Sequence, residues 1–353
     1  MFFCGTCGIM VRTETNICPK CSSMLAPAHA PGEAKASLTP AWKQPGKGAK
    51  VLLIVGIVLS LVAAATAVTY HLVMRPGRSV YLLPDGNFMA YINFKPMRLM
   101  NVDTNPVTAN PEYQQFVNET GLRPDRDLEN IAISAHADGG PSGDAAIIVT
   151  GTFDQQRLSG YVQKQSGVQT ETYGSKTIFS TSAKDQTARF CVLNSKMVAL
   201  TVGPTAESMH AIIDKSAGSG SAPDLYENYY SDVPSASVMW AIVRVPSSAV
   251  TDPAPSRMNL DFLKNSVTIV SARYTGSLTL RGEFIAENQT DATNIFQAVN
   301  GFLAMSKLAG GQRQNDPDVT AVMNSIEVKQ NGNHVVVSAV VPQDLIQKAA
   351  RTR

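Results

Sequence analysis

Four of the chain's five cysteines, Cys4, Cys7, Cys18 and Cys21, fall in the first 21 residues as C-x2-C-x10-C-x2-C. Thiolates are metal ligands, and each C-x2-C knuckle supplies a pair of them from one tight turn. The spacing predicts a tetrahedral four-thiolate site holding one structural zinc ion, with two disulfides or an iron site as the alternatives. Four protein ligands leave no open position for a substrate, so the predicted chemistry is folding and not catalysis. Gly5 and Gly8 ease the first knuckle and Pro19 stiffens the second. The residues between the knuckles, GIMVRTETNI, suit a short β-hairpin with Thr13 to Asn16 near its tip. So small a head has almost no core, and the metal would supply most of its folding free energy.

The run CGTCG…CPKCS resembles the N-terminal zinc ribbons of the CxxCG…CPxCG type at the start of many bacterial membrane proteins. The resemblance covers residues 1–25 only. It implies that Cys4, Cys7, Cys18 and Cys21 are the zinc ligands and that the head is a protein-interaction or nucleic-acid module. Ser22 stands where the usual pattern has Gly, which weakens the turn preference and leaves ligation intact. Arg12 and Lys20 are too sparse a basic patch to favour nucleic acid.

What positions this head is the stretch Val51 to Met74, VLLIVGIVLSLVAAATAVTYHLVM, which contains no Lys, Arg, Asp or Glu. A helix of that length spans a hydrocarbon core of about 30 Å with some tilt. It is apolar all round, unlike an amphipathic core or interfacial helix, and it lies too far from the start for a cleaved signal peptide. The reading is a retained single-pass anchor. Gly56, Ser60 and Ala64 give it a small-xxx-small face, and a homodimer through that face is a secondary expectation. Residues 26–50, rich in Pro, Ala and Gly, read as a flexible linker, with Trp42 near the membrane interface.

Charge and cysteine usage set the orientation. Of the 30 basic and 28 acidic residues, six and two lie in residues 1–50, which leaves the remainder slightly acidic. Lys43, Lys47 and Lys50 precede the span and Arg75 and Arg78 follow it, a small asymmetry. Thiolate ligands persist best in a reducing compartment, which places the N-terminus in the cytoplasm and the body outside the plasma membrane.

The body reads as α+β, in two similar subdomains of antiparallel sheet plus helices, residues 78–222 and 223–353. Strands are predicted over Asn87 to Phe94, Leu128 to Ala135, Ala145 to Phe153, Thr177 to Thr181, Arg189 to Leu193 and Met197 to Val202. In the second part they fall over Ser237 to Val245, Val267 to Tyr274, Leu278 to Phe284, Ile326 to Lys329 and His334 to Val340. Helices are predicted near Glu112 to Val117, after Asp154, over Thr205 to Lys215, from Asp291 to Leu308 and over Leu345 to Ala350. Asn331-Gly332 is read as a type I′ turn. The repeat rests on Ile147-x-Val149-x-Gly151-x-Phe153 and Leu278-x-Leu280-x-Gly282-x-Phe284, each before a helix. Both glycines are expected to permit close backbone or helix approach, and both phenylalanines to be buried.

Chemistry in the body is sparse. No G-x-S-x-G, H-E-x-x-H or complete P-loop occurs; Gly174-Ser175-Lys176-Thr177 reads as a hairpin turn. His136, His210 and His334 are isolated in sequence, Asp138 and Asp144 flank a loop, and Cys191 sits in the apolar run FCVL. Tyr226, Tyr229 and Tyr230 would form a contact patch or seal the junction of the halves. The expectation is a non-enzymatic, membrane-anchored envelope protein whose exported body binds an unidentified protein partner. The rival is an exported hydrolase with a site built from scattered polar residues.

Overall fold

Apolar residues that alternate with a period of two favour strands, because successive side chains then reach opposite faces. Such alternation recurs between residues 88 and 341, and in the computed structural model of the chain it builds one antiparallel sheet. The structure describes residues 2–4, 6, 7, 9–11, 17–25, 76–98, 110–136, 143–183, 186–218, 220–246, 263–309 and 317–351. The expected linker of residues 26–50 and the expected span Val51 to Met74 lie outside the described residues. Among the described residues, no helix is long and apolar enough to cross a membrane. The chain divides into two compact units, residues 1–63 and 64–353.

In the first unit, β1 (Phe2–Phe3) pairs antiparallel with β2 (Met10–Val11), and an isolated bridge joins Ile17 to Met24. Each pairing encloses one cysteine knuckle. This differs from the expected hairpin between the knuckles: Met10 and Val11 pair back onto Phe3 and Phe2. The tip expected at Thr13 to Asn16 lies outside the described residues.

The second unit starts with α1 (Ser79–Leu82), β3 (Phe88–Asn93) and α2 (Phe94–Arg98). Next comes α3 (Pro111–Thr120), where the Asn110 side chain accepts from the Glu112 N–H at 2.8 Å and Gly121, at φ 71°, ends the helix. After α4 (Pro124–Asp127), the hairpin of β4 (Leu128–Ala135) and β5 (Ala145–Gly151) leads to α5 (Gln155–Gln163). Asp154 caps α5, its carboxylate accepting from the N–H groups of Gln156 and Arg157. Four strands follow, β6 (Gln169–Tyr173), β7 (Lys176–Ala183), β8 (Gln186–Asn194) and β9 (Met197–Gly203), then α6 (Glu207–Ser216) and α7 (Asp224–Tyr229). The rest is β10 (Ser237–Arg244), β11 (Val267–Tyr274), β12 (Leu278–Ile285), α8 (Gln289–Ala309), α9 (Pro317–Asn324), β13 (Glu327–Asn331), β14 (His334–Val341) and α10 (Gln343–Arg351).

The sheet runs β13-β14-β12-β11-β10-β3-β4-β5-β9-β8-β7-β6. Two separate sheets are therefore not what forms: β3 and β10 pair antiparallel, Tyr91 opposite Trp240, and one sheet passes through both halves. Read outward from that joint, the order is β3-β4-β5-β9-β8 on one side and β10-β11-β12-β14-β13 on the other. Each side sends its third strand into a helix, α5 or α8, and β7 and β6 extend the first side. The last hairpin turns at Gly332-Asn333, because Asn331 itself pairs with His334; Gly332, at φ 59°, suits the first position of a type II′ turn.

The register assigns the two faces. Met89, Tyr91, Ala132, Ile148, Ala199, Trp240, Ile242 and Ile269 share one face and form a continuous core with Val80 and Leu83 of the α1 region, Met209 and Ile212 of α6 and Leu225 of α7. That core crosses the β3–β10 joint. The opposite face carries α5 over β5, β8 and β9 through Phe153, Leu158 and Val198. It also carries α8 over β12, β13 and β14 through Ala292, Ile295 and Val335.

Candidate metal centre and the cavity of the body

The two knuckles bring four sulfurs together. Cys4 Sγ lies 3.5 Å from Cys21 Sγ, and Cys7 Sγ 3.7 Å from Cys18 Sγ. All four ligand atoms lie within 4.8 Å of one another. The backbone holds each turn: Cys4 N–H donates to Ile9 C=O at 3.1 Å, Cys18 N–H to Ser23 C=O at 2.9 Å and Ser22 N–H to Cys18 C=O at 2.9 Å. Cys4 and Cys18 are buried, packed with Leu25 and Ile9. Ser22 has φ 57°, the left-handed region where glycine is at ease, so its departure from the ribbon pattern falls on a strained backbone position.

Electrostatically Cys4, Cys7 and Cys21 are unequal. Hydrogen bonds from the Ser23 hydroxyl and N–H bring Cys21 down to about 6, while desolvation and the neighbouring sulfurs push Cys7 up to about 12. The Cys7 and Thr6 backbone groups lower Cys4. Sulfurs crowded into one space thus pull in opposite directions, Cys4 and Cys21 toward the thiolate and Cys7 toward the thiol. A metal ion relieves that conflict by binding all four as thiolates. The donor set therefore fits a metal ion, with Cys4, Cys7, Cys18 and Cys21 as its ligands.

The body holds a cavity of about 930 Å³ between α8 and the strands β11, β12 and β14. Its floor includes Val270, Leu280, Gly282 and Phe284, and its wall Val299 and Phe302 of α8. Gly282 and Gly301 both line it, and a Cβ built on either meets nothing within 4 Å. The expectation of close approach at both glycines therefore splits. At Gly151 a Cβ would collide with the Asp127 carbonyl oxygen and lie 3.1 Å from the Phe153 ring. At Gly282 the space is open. Phe153 is buried, whereas Phe284 is only half-buried.

No family model matches this chain. No curated protein matches it either. Among solved structures, crystal form III of TP0453 is similar to it with a TM-score of 0.42 and 7% identity, covering 79% of this chain and 99% of that one. Crystal form IV of TP0453 gives 0.45 and 7% over 78% and 95%, and crystal form I gives 0.44 and 6% over 79% and 98%.

The remaining residues singled out in the sequence find structural partners. Gly174, at φ 59°, turns β6 into β7, and Lys176 Nζ donates to Leu193 C=O at 2.6 Å, so this Gly-Ser-Lys-Thr run is a hairpin turn. His210 stacks on Tyr173 with ring centroids 3.8 Å apart, its Nε2 lying 3.4 Å from Glu171 Oε1. His334 Nδ1 lies 2.8 Å from Glu283 Oε1, and Arg281 Nη2 donates to the other carboxylate oxygen at 2.9 Å. Sequence position gave no hint of the partner of either histidine. Cys191 is core, and burial raises its thiol to about 11. Tyr226 and Tyr230 stack at 4.5 Å and pack beside Trp240, which sits on β10 at the joint, so this cluster seals the junction. Asp138 lies outside the described residues.

Proposed function

We propose that this chain is a membrane-anchored, non-enzymatic envelope protein. A cytoplasmic ribbon holds one structural zinc through Cys4, Cys7, Cys18 and Cys21, residues 51–74 span the membrane, and the exported body binds a partner through one of its two repeated halves. The observation that carries this reading is the sulfur geometry. A tetrahedron of thiolates with metal bonds of about 2.3 Å has edges of about 3.8 Å, and the two knuckle-to-knuckle distances are 3.5 and 3.7 Å. Such a site uses every position that structural zinc offers, and it survives where thiols stay reduced. The head then belongs on the cytoplasmic side, and the charge-free stretch that follows carries the chain across.

The test combines metal content with topology. Full-length protein purified in detergent is expected to hold one zinc per chain, and Cys18→Ser to lose it without lowering the unfolding temperature of the body. Protease added to spheroplasts is expected to degrade the body and spare the head. Protection of the body with loss of the head would overturn the orientation, and unchanged zinc in Cys18→Ser the ligand set.

A further inference from the structure

We propose that the cavity between α8 and the sheet is a binding site for one acyl chain of a membrane lipid. The inference rests on the reading of residues 51–74 as a membrane span, and it names what the body binds.

Outward from the β3–β10 joint, β5 and β12 hold equivalent places, each followed by a helix on the same face of the sheet. In the first half the compartment under the helix is packed shut: Phe153, Leu158 and Val198 are all buried, and Gly151 abuts the Asp127 backbone. In the second half the same compartment is open, with a volume of about 930 Å³. That size falls at the upper end of the range of about 300–1,000 Å³ typical of small-molecule sites.

Two glycines keep it open. Glycine in a strand or helix interior weakens the element and normally answers a positive φ or a close approach. Gly282 and Gly301 have neither: both line the cavity, and a Cβ on either meets open space. Phe302 and Met305 line the rim with 63% and 55% of their surfaces exposed, and Val270 on the floor is 50% exposed. Aliphatic and aromatic carbon here faces water, which is unfavourable unless an apolar ligand covers it.

The occupant follows from the chemistry of the lining and from where the body begins. Leu280, Phe284, Val299 and Val337 line the cavity with carbon, and Arg281 and Ser338 are the polar residues of its lining, a balance that suits a hydrocarbon chain better than a sugar or a peptide backbone. The proposed span ends at Met74, and the described body starts at Pro76. The body is thus tied at the bilayer surface, where lipid acyl chains are the most abundant apolar groups. A chain enters with its headgroup left at the open rim beside Phe302 and Met305.

Full-length protein in vesicles of phosphatidylglycerol and phosphatidylethanolamine, doped with a phospholipid bearing a diazirine near the end of one chain, provides the test. After irradiation, peptide mapping is expected to find adducts on β12 and α8 as well as on residues 51–74. Gly282→Leu, alone and with Gly301→Leu, is expected to reduce the β12 and α8 adducts at least about tenfold by filling the space. Adducts on 51–74 are expected to stay unchanged, and the unfolding temperature to hold within about 2 °C. Adducts on 51–74 without any on β12 and α8 would overturn the cavity site and leave the anchor standing. Cavity adducts without any on 51–74 would sink the anchor and keep the site. Labelling by free diazirine palmitate but not by the phospholipid would overturn the proposed source. A large fall in stability on filling Gly282 would mean the chain's own residues already pack there, and would also overturn it.

Discussion

The two phenylalanines of the repeated pattern make a paired experiment in which one serves as control for the other. Phe153 is 5% exposed and packs against Leu158 and Val198, with Leu128, Val149, Phe190 and Val192 around them. Truncation to alanine removes a full aromatic ring from a site walled on every side, and such losses cost about 3–5 kcal/mol. Phe284 is half-buried and faces the cavity on one flank. It already lacks neighbours there, and atoms without partners contribute no dispersion energy. Phe284→Ala is therefore expected to cost less, about 1–2 kcal/mol. Urea unfolding of full-length protein in detergent micelles measures both. Trp240, 3% exposed in the core, is the reporter once Trp42→Phe removes the other tryptophan. Equal slopes with urea would show that the variants differ in stability alone. Equal losses of about 3 kcal/mol or more at both positions would refute the contrast between a closed and an open compartment.

Two further substitutions probe single backbone positions. Gly151→Ala forces a Cβ onto the Asp127 carbonyl oxygen and against the Phe153 ring, so it is expected to destabilise the body by more than about 2 kcal/mol in the same urea assay. Ser22→Gly removes the left-handed strain at φ 57° and is expected to strengthen metal retention by the head by about 1 kcal/mol, read as slower zinc loss to a chelator; faster loss would contradict the strain argument.

Much of the local structure was legible because it is written in local periodicity. The alternation in Met197 to Val202 and Val267 to Tyr274, the cap at Asp154 and the apolar stripe of α8 all appear where the pattern places them. The cysteine cluster was legible for a different reason: ligand spacing is a chemical signature that needs no alignment of distant segments. What escaped is mostly non-local. β6, Gln-Thr-Glu-Thr-Tyr, has no apolar alternation because it is an edge strand with little to bury. The pairing of β3 with β10 joins segments far apart in the chain, and no local signal marks an edge that another half will cover. The Tyr173 and Glu171 neighbours of His210, and the Glu283 partner of His334, exist only once strand and helix have been brought together.

The cavity was illegible for a more instructive reason: the two G-x-F patterns look alike and do opposite things. In the first half a bulge between Leu128 and Asn130 shifts β4 against β5, and the Asp127 carbonyl comes to rest beside Gly151. That glycine is a concession to backbone crowding, and the nine-residue α5 lies close enough for Leu158 to be buried beside Phe153. In the second half β11 and β12 pair in uninterrupted register from Val267–Ile285 to Tyr274–Leu278, so nothing crowds Gly282. The 21-residue α8 is anchored at its start by Ala292 and Ile295, both fully buried, while Phe302 and Met305 farther along are exposed. The buried contacts of α8 thus lie toward its start, and Gly282 and Gly301 supply no side chain to the cavity lining. The same residue type thus records crowding in one half and room in the other, and only the partner strand's register distinguishes them.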